Sequence, residues 1–80
     1  MERAIIIDKV NKTLDEVTGD KRERKLTERL KEDCGLDSLS MVNLIVSLEE
    51  GFGILFNESD LDPEAVLMIS DVVELIGRYL

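Results

Sequence analysis

Ser38 is the residue through which this chain could do chemistry, and its neighbours limit what kind. It stands in Gly35-Leu36-Asp37-Ser38-Leu39, a glycine-containing turn that runs into the start of a helix. A helix start offers unpaired backbone N–H groups and the positive end of the macrodipole, so a phosphate on or near that hydroxyl is favourably placed. The sequence contains no His, which removes both the usual base for a serine nucleophile and any His-ligated metal. Ser38 therefore reads as an acceptor for modification, or as an ordinary helix N-cap. A lone Cys34 supplies neither a zinc site nor an internal disulfide and reads as a small buried apolar residue. Asp60-Leu61-Asp62-Pro63-Glu64 gathers carboxylates without the central Gly or the spacing of a calcium loop. Neither a catalytic residue nor a metal site is expected.

The elements that must hold Ser38 come from one small domain. With 80 residues, 44% hydrophobic and 35% charged, and with one Pro and five Gly, the composition is that of a folded chain with a core built from few elements. The net charge of −8 argues against nucleic-acid binding, which needs a surplus of Lys and Arg. Its distribution is uneven. Residues 1–31 hold nine basic against seven acidic groups, whereas from residue 32 onward eleven acidic groups face a single Arg78. An acidic surface of that density steers toward basic partners. The N-terminal apolar run Ala4-Ile5-Ile6-Ile7 is far too short for a secretory core or a membrane span, which leads to a cytoplasmic protein.

Periodicity predicts helices. Ile7, Val10, Leu14 and Val17 share a face, and Gly19 supplies a stop, so residues 3–17 read as an amphipathic helix with Ile5 off the stripe. Residues 20–37 read as a long loop held down by Leu26, Leu30, Cys34 and Leu36, with a turn near Thr27 to Leu30. Within it, Lys21-Arg22-Glu23-Arg24-Lys25 reads as a solvated segment. A second helix runs from Ser38 to Glu50 and is closed by Gly51 and Gly53. Ile54-Leu55-Phe56 packs as loop, the acidic stretch 57–63 starts a one-turn helix after Asn57, and a last helix covers Ser70 to Tyr79. The expected fold is all-α: three main helices and one short one, bundled because none can bury its face alone.

The second helix has more apolar residues than one stripe requires. Met41, Leu44, Ile45, Leu48 and Phe52 make a complete core face. Leu39, Val42, Val46 and Glu50 repeat the spacing half a turn away, bordered by Asn43 and Ser47. Either this helix is buried on both sides or it presents a ridge to a partner.

These residues carry a resemblance. Asp37-Ser38-Leu39, preceded by Gly35-Leu36 and followed by Val42, Leu44 and Leu48-Glu49-Glu50-Gly51-Phe52-Gly53-Ile54, resembles an acyl carrier protein over nearly the whole chain. Glu32-Asp33-Cys34-Gly35-Leu36-Asp37-Ser38-Leu39 is similar to the family's Glu-Asp-Leu-Gly-Leu-Asp-Ser-Leu. The resemblance implies that Ser38, within the motif residues Gly35, Leu36, Asp37 and Leu39, takes a 4′-phosphopantetheine arm as a phosphodiester from coenzyme A through a phosphopantetheinyl transferase. The arm's thiol then holds an acyl group as a thioester, so the protein is a carrier and not an enzyme, monomeric and without membrane insertion. It also implies that acyl-transferring and acyl-condensing enzymes meet the second helix with basic docking patches, at Leu39, Val42, Asn43, Val46, Glu49 and Glu50. The surplus apolar row becomes that ridge.

Departures from the family pattern narrow the expectation. Carriers of fatty-acid synthesis usually have acidic residues where this chain has Ser40 and Asn43, which points to fatty-acid or related specialised lipid or polyketide synthesis with a dedicated partner. Met68 replaces the Thr that usually opens the last helix, leaving the cap to Ser70 or water. Met68 and Ile69 could shape a pocket for the cargo or merely fill it. Two alternatives stand beside this reading. Aminoacyl or peptidyl carriers use the same arm but more often show Gly-Gly before the serine pair, where only Gly35 is present here. A small acidic adaptor would bind basic helices with no covalent group.

Overall fold

In the computed structural model, which describes residues 1–62 and 64–80, the first apolar stripe becomes α1 (Arg3–Thr18). Ile6, Val10 and Leu14, one turn apart, are buried, and Ile7 and Val17 pack beside them. Ile5 is exposed, in keeping with its place off the stripe. The helix ends where Gly19 takes φ 72° and returns its N–H to the Asp15 carbonyl, a left-handed step that a residue with a Cβ makes at a cost.

The second helix, α2 (Ser38–Phe52), runs two residues beyond the expected end. Gly51 stays helical, and Gly53 at φ 66° is the residue that closes it, its N–H on the Glu49 carbonyl. Leu44 and Leu48 are its fully buried side chains, with Met41 and Phe52 packed against the core. Ile54 and Phe56 follow onto the same core while Leu55 points into solvent. The short helix after Asn57 is a 3₁₀ turn, Glu58–Leu61. Tyr79 ties it down: its hydroxyl accepts the Asn57 N–H, donates to Asp60, and its ring meets Phe56 edge-on at 5.2 Å. Pro63, the end of the expected turn, lies outside the described residues.

The last helix, α3 (Ile69–Tyr79), buries Ile69, Val72, Val73, Leu75 and Ile76. Ser70 does not cap it: the Ile69 and Ser70 N–H groups donate to the Glu28 and Leu26 carbonyls at 3.1 and 2.9 Å. The Asp71 carboxylate reaches back to accept the N–H groups of Leu67 and Met68, each at 2.9 Å, satisfying donors that a helix start leaves unpaired. The result is an all-α bundle of three helices and a 3₁₀ turn, with one isolated bridge, Arg29 to Met68, as the β-like pairing among the described residues. α1 packs on both α2 and α3, whereas α2 and α3 touch each other little. Among the described residues no helix is long and apolar enough to cross a membrane.

The long loop is held as expected by Leu30 and Leu36, both buried, and by half-buried Leu26 and Cys34. Burial pushes the Cys34 thiol above its ordinary pKa, which favours the thiol over the thiolate. The basic segment is a correction. It is not simply solvated, because Arg24 turns inward with 1% of its side chain exposed and bonds Asp15 Oδ1 at 2.7 Å. The same guanidinium donates to Asn11 Oδ1, Thr18 Oγ1 and the Asp20 carbonyl, so it staples the loop to the C-terminal half of α1. Arg22 adds a bond to Glu28 at 2.8 Å.

These pairs make stability depend on acid. The hydrogen bond from Arg24 holds Asp15 below its ordinary pKa, and that from Arg22 does the same for Glu28. A carboxylate with a depressed folded pKa stabilises the fold above its unfolded pKa, and that contribution disappears as pH falls through the folded value. Acid titration followed by circular dichroism should show stability falling below the ordinary carboxylate range. Asp15→Asn should flatten part of that fall, with a lower melting temperature at neutral pH; an unchanged acid limb would show that the staple carries no linkage.

Candidate functional site

The chain reaches Ser38 through three fixed steps. Gly35 takes φ 74° and turns the chain by a left-handed step. Leu36 then buries its side chain and donates its N–H to the Leu30 carbonyl at 3.0 Å, while Leu30 is itself bonded to the Leu67 carbonyl at 2.9 Å. Asp37, in extended conformation, caps α2 by accepting the Ser40 N–H on Oδ1 at 2.8 Å. That bond holds the Asp37 carboxyl below its ordinary pKa.

The cap is therefore Asp37, and the ordinary reading of Ser38 as N-cap is corrected. Ser38 is the first residue of α2 and is exposed. The physical consequence favours chemistry at its hydroxyl. Since a neighbouring carboxylate does the capping, a group added to Ser38 costs the helix no cap.

The expected partner-facing residues divide. Leu39, Val42 and Val46 are 70%, 58% and 45% exposed, so the second apolar row is a surface ridge and not a second buried face. Asn43 and Glu50 are exposed beside it. Glu49 departs from expectation: half-buried, it turns its Oε2 to accept the Phe56 N–H at 2.9 Å, stabilising the chain after α2 instead of facing outward.

An apolar cleft lies beside Ser38. With a volume of about 410 Å³, it is bordered by Ser38, Ile45 and Val46 from α2, Leu30 from the loop, Leu61 at the end of the 3₁₀ turn and Val66 beyond it. The weak α2–α3 contact leaves this space for the intervening segments to wall. Ile45, assigned from periodicity to the core face, belongs to the cleft. Met68 and Ile69 do not shape it; Val66 and Leu67 do, and Ile69 is buried in the core. Sequence reasoning missed Leu30, Leu61 and Val66 as lining because none shares a periodic stripe with α2. Among the described residues no group of His, Cys, Asp or Glu comes together as a metal site, Asp60 to Glu64 included.

The helical scaffold presents one exposed serine at the start of α2, beside an apolar cleft. The comparisons give the family. Residues 8–78 match the model described as "Phosphopantetheine attachment site". The chain is 35% identical to the acyl carrier protein of Coprothermobacter proteolyticus, over 100% of this chain and 96% of that one. It is 34% identical to that of Thermotoga maritima, over 98% and 95%. A solved structure from Mycobacterium tuberculosis, itself a provisional acyl carrier protein, superposes with TM-score 0.83 at 25% identity, over 91% of this chain and 96% of that one. The chain belongs to the acyl carrier protein family. It bears a covalent 4′-phosphopantetheine arm and is a carrier serving phosphopantetheinyl transferase and acyl-processing enzymes, not an enzyme itself.

Proposed function

We propose that Ser38 is the attachment residue, and that the cargo is a fatty-acyl or related apolar acyl chain in primary or specialised lipid or polyketide synthesis in the cytoplasm. The observation that carries the reading is the apolar cleft of about 410 Å³ that begins at Ser38. When attached, the arm supplies a thiol that holds the acyl group as a thioester. Every other task falls to the chain. Asp37 and Gly35 aim α2 so that the Ser38 hydroxyl is open to a transferase. Ile45, Leu61 and Val66 offer an apolar wall on which an alkyl chain sheds water, worth about 0.8 kcal/mol per methylene buried. The positive end of α2 favours the phosphate of the arm.

The cleft favours this reading over a carrier of small or polar aminoacyl groups, which gain little from apolar walls. Loading the holo-protein with an octanoyl group should shift the methyl resonances of Ile45, Leu61 and Val66 relative to the unacylated holo-protein, and raise its melting temperature. A glycyl group should do neither. Identical spectra for octanoyl-loaded and unacylated protein would remove the support for a sheltered alkyl cargo.

A further inference from the structure

We infer that Lys31 is the counter-ion of the arm's phosphodiester and biases the direction in which the arm leaves Ser38. The inference rests on the reading of Ser38 as the attachment residue, since that bond is what fixes the phosphate at the start of α2. Of the described residues that border the cleft beginning at Ser38, Lys31 is the one cation. The polar lining is Lys31, Glu32 and Ser38, all three exposed. A lysine on an apolar wall lays its methylene stem along that wall and keeps its ammonium in water, so the ammonium and the Ser38 hydroxyl share the wet margin of the cleft. Among the described residues Lys31 enters no ion pair, with Glu32 or with any other carboxylate.

The charges around Ser38 make such a cation necessary. Loading adds a phosphodiester, the arm's single formal charge, directly beside Asp37, whose carboxyl is held below its ordinary pKa and stays ionised. Glu32 borders the cleft and Asp33 is exposed just before the Gly35 turn. On the side of Leu61, the 3₁₀ turn and the residues after it add Glu58, Asp60, Asp62 and Glu64. The positive end of α2 answers this only in part, because the Asp37 carboxylate already faces it through the Ser40 N–H. The other bases are placed elsewhere. Arg3 and Arg78 border a separate groove with Ile6 and Val73, Arg24 is buried against Asp15, Arg22 is paired with Asp20 and Glu28, and Lys12 with Asp8. Lys9 sits over the Phe52 ring at 5.2 Å, and Lys21, Lys25 and Arg29 are exposed on the loop away from the cleft lining. Lys31 is left to offset the new charge. An exposed lysine–anion pair is weak and its donors rotate freely, so it biases the first bonds of the arm toward the cleft margin without immobilising the thiol.

Holo-protein prepared from the full chain with coenzyme A and a broad-specificity phosphopantetheinyl transferase carries its own probe, the phosphorus NMR resonance of the phosphodiester. Three variants at exposed positions, each checked for native helicity by circular dichroism, separate charge from shape. Lys31→Met keeps an apolar stem on the cleft wall and loses the charge, Lys31→Arg keeps the charge, and Lys25→Met removes a charge elsewhere on the loop. At about 0.05 M salt the native, Lys31→Arg and Lys25→Met proteins should share one phosphorus shift, from which Lys31→Met is displaced. Between about 0.05 M and about 0.5 M salt the native resonance should drift toward the Lys31→Met position as the pair is screened, while that of Lys31→Met stays in place. A Lys31→Met resonance that coincides with the native one at low salt overturns the inference. So does a Lys31→Arg resonance at the Lys31→Met position, or a Lys25→Met resonance displaced as far, because either would separate the shift from a charge at residue 31. A native chain that gains no mass, or gains it away from Ser38, overturns the attachment reading itself and the inference with it.

Discussion

Ser38→Ala is expected to abolish arm attachment completely while leaving the melting temperature within about 0.5 kcal/mol equivalent of the native chain, as for a surface substitution away from special features. The two halves of this result have separate causes. Attachment needs a hydroxyl, and among the residues bordering the cleft Ser38 alone carries one. Stability needs the cap, and the cap is Asp37. Had Ser38 been the N-cap, its replacement by Ala would be expected to cost roughly 1 kcal/mol. Intact-mass spectrometry and thermal melts on the same two samples check both halves. A melting temperature lowered by several degrees would indicate that the Ser38 hydroxyl is part of the fold, and a residual mass gain would move the attachment elsewhere.

Leu48→Ala is the substitution expected to damage the fold most. Leu48 is fully buried, and with Leu44 it is one of the two fully buried side chains of α2. Truncating such a leucine costs about 2 to 5 kcal/mol through lost burial and the cavity left behind. An 80-residue chain holds in reserve only about 0.05 to 0.15 kcal/mol per residue. At about 4 to 8 °C per kcal/mol for a domain of this size, the melting temperature should fall by on the order of 10 to 20 °C. Val42→Ala on the opposite face should barely move it. Chemical denaturation should show a lower midpoint for Leu48→Ala with an unchanged slope. Equal stability of the two variants would mean that α2 is not anchored through this face. Because α2 carries Ser38, the loss links packing to function: the arm is presented only while this helix is seated.

The contrast between these two positions explains what could be read from the residues alone. Val10, Leu14, Leu44 and Leu48 announce themselves because local periodicity places them on one side of a helix, whatever the helix meets later. The Gly35 to Leu39 turn is legible for a similar reason: a left-handed glycine, an acceptor and a helix start fall within five consecutive residues. Arg24 is different. Its pairing with Asp15 spans 9 positions across the end of α1, so nothing in the composition of the basic segment distinguishes it from the exposed Lys21 and Lys25. Glu49 likewise looks like a docking charge until the chain folds back and brings Phe56, 7 positions on, to its carboxylate.

The cleft was illegible for a third reason. Its lining comes from four separate stretches, and an apolar residue in a loop carries no sign of whether it fills the core or faces a void. Ile45 shows this best. Periodicity puts it beside Leu44 and Leu48, yet it is half-buried and borders the cleft, because α2 and α3 make little contact on that side. Exposure likewise decided the ridge. Spacing alone left Leu39, Val42 and Val46 either buried on a second side or open to a partner, and they are open.

The central claim is that Ser38 holds an arm whose thiol carries an acyl group, and the most direct measurement is the intact mass of the full chain after incubation with acetyl-coenzyme A and a broad-specificity phosphopantetheinyl transferase. The account predicts a gain of one acetyl-phosphopantetheine, localised by peptide fragmentation to Ser38, from which neutral hydroxylamine removes the acetyl group alone. An unchanged mass, or a gain localised to any residue other than Ser38, would contradict it.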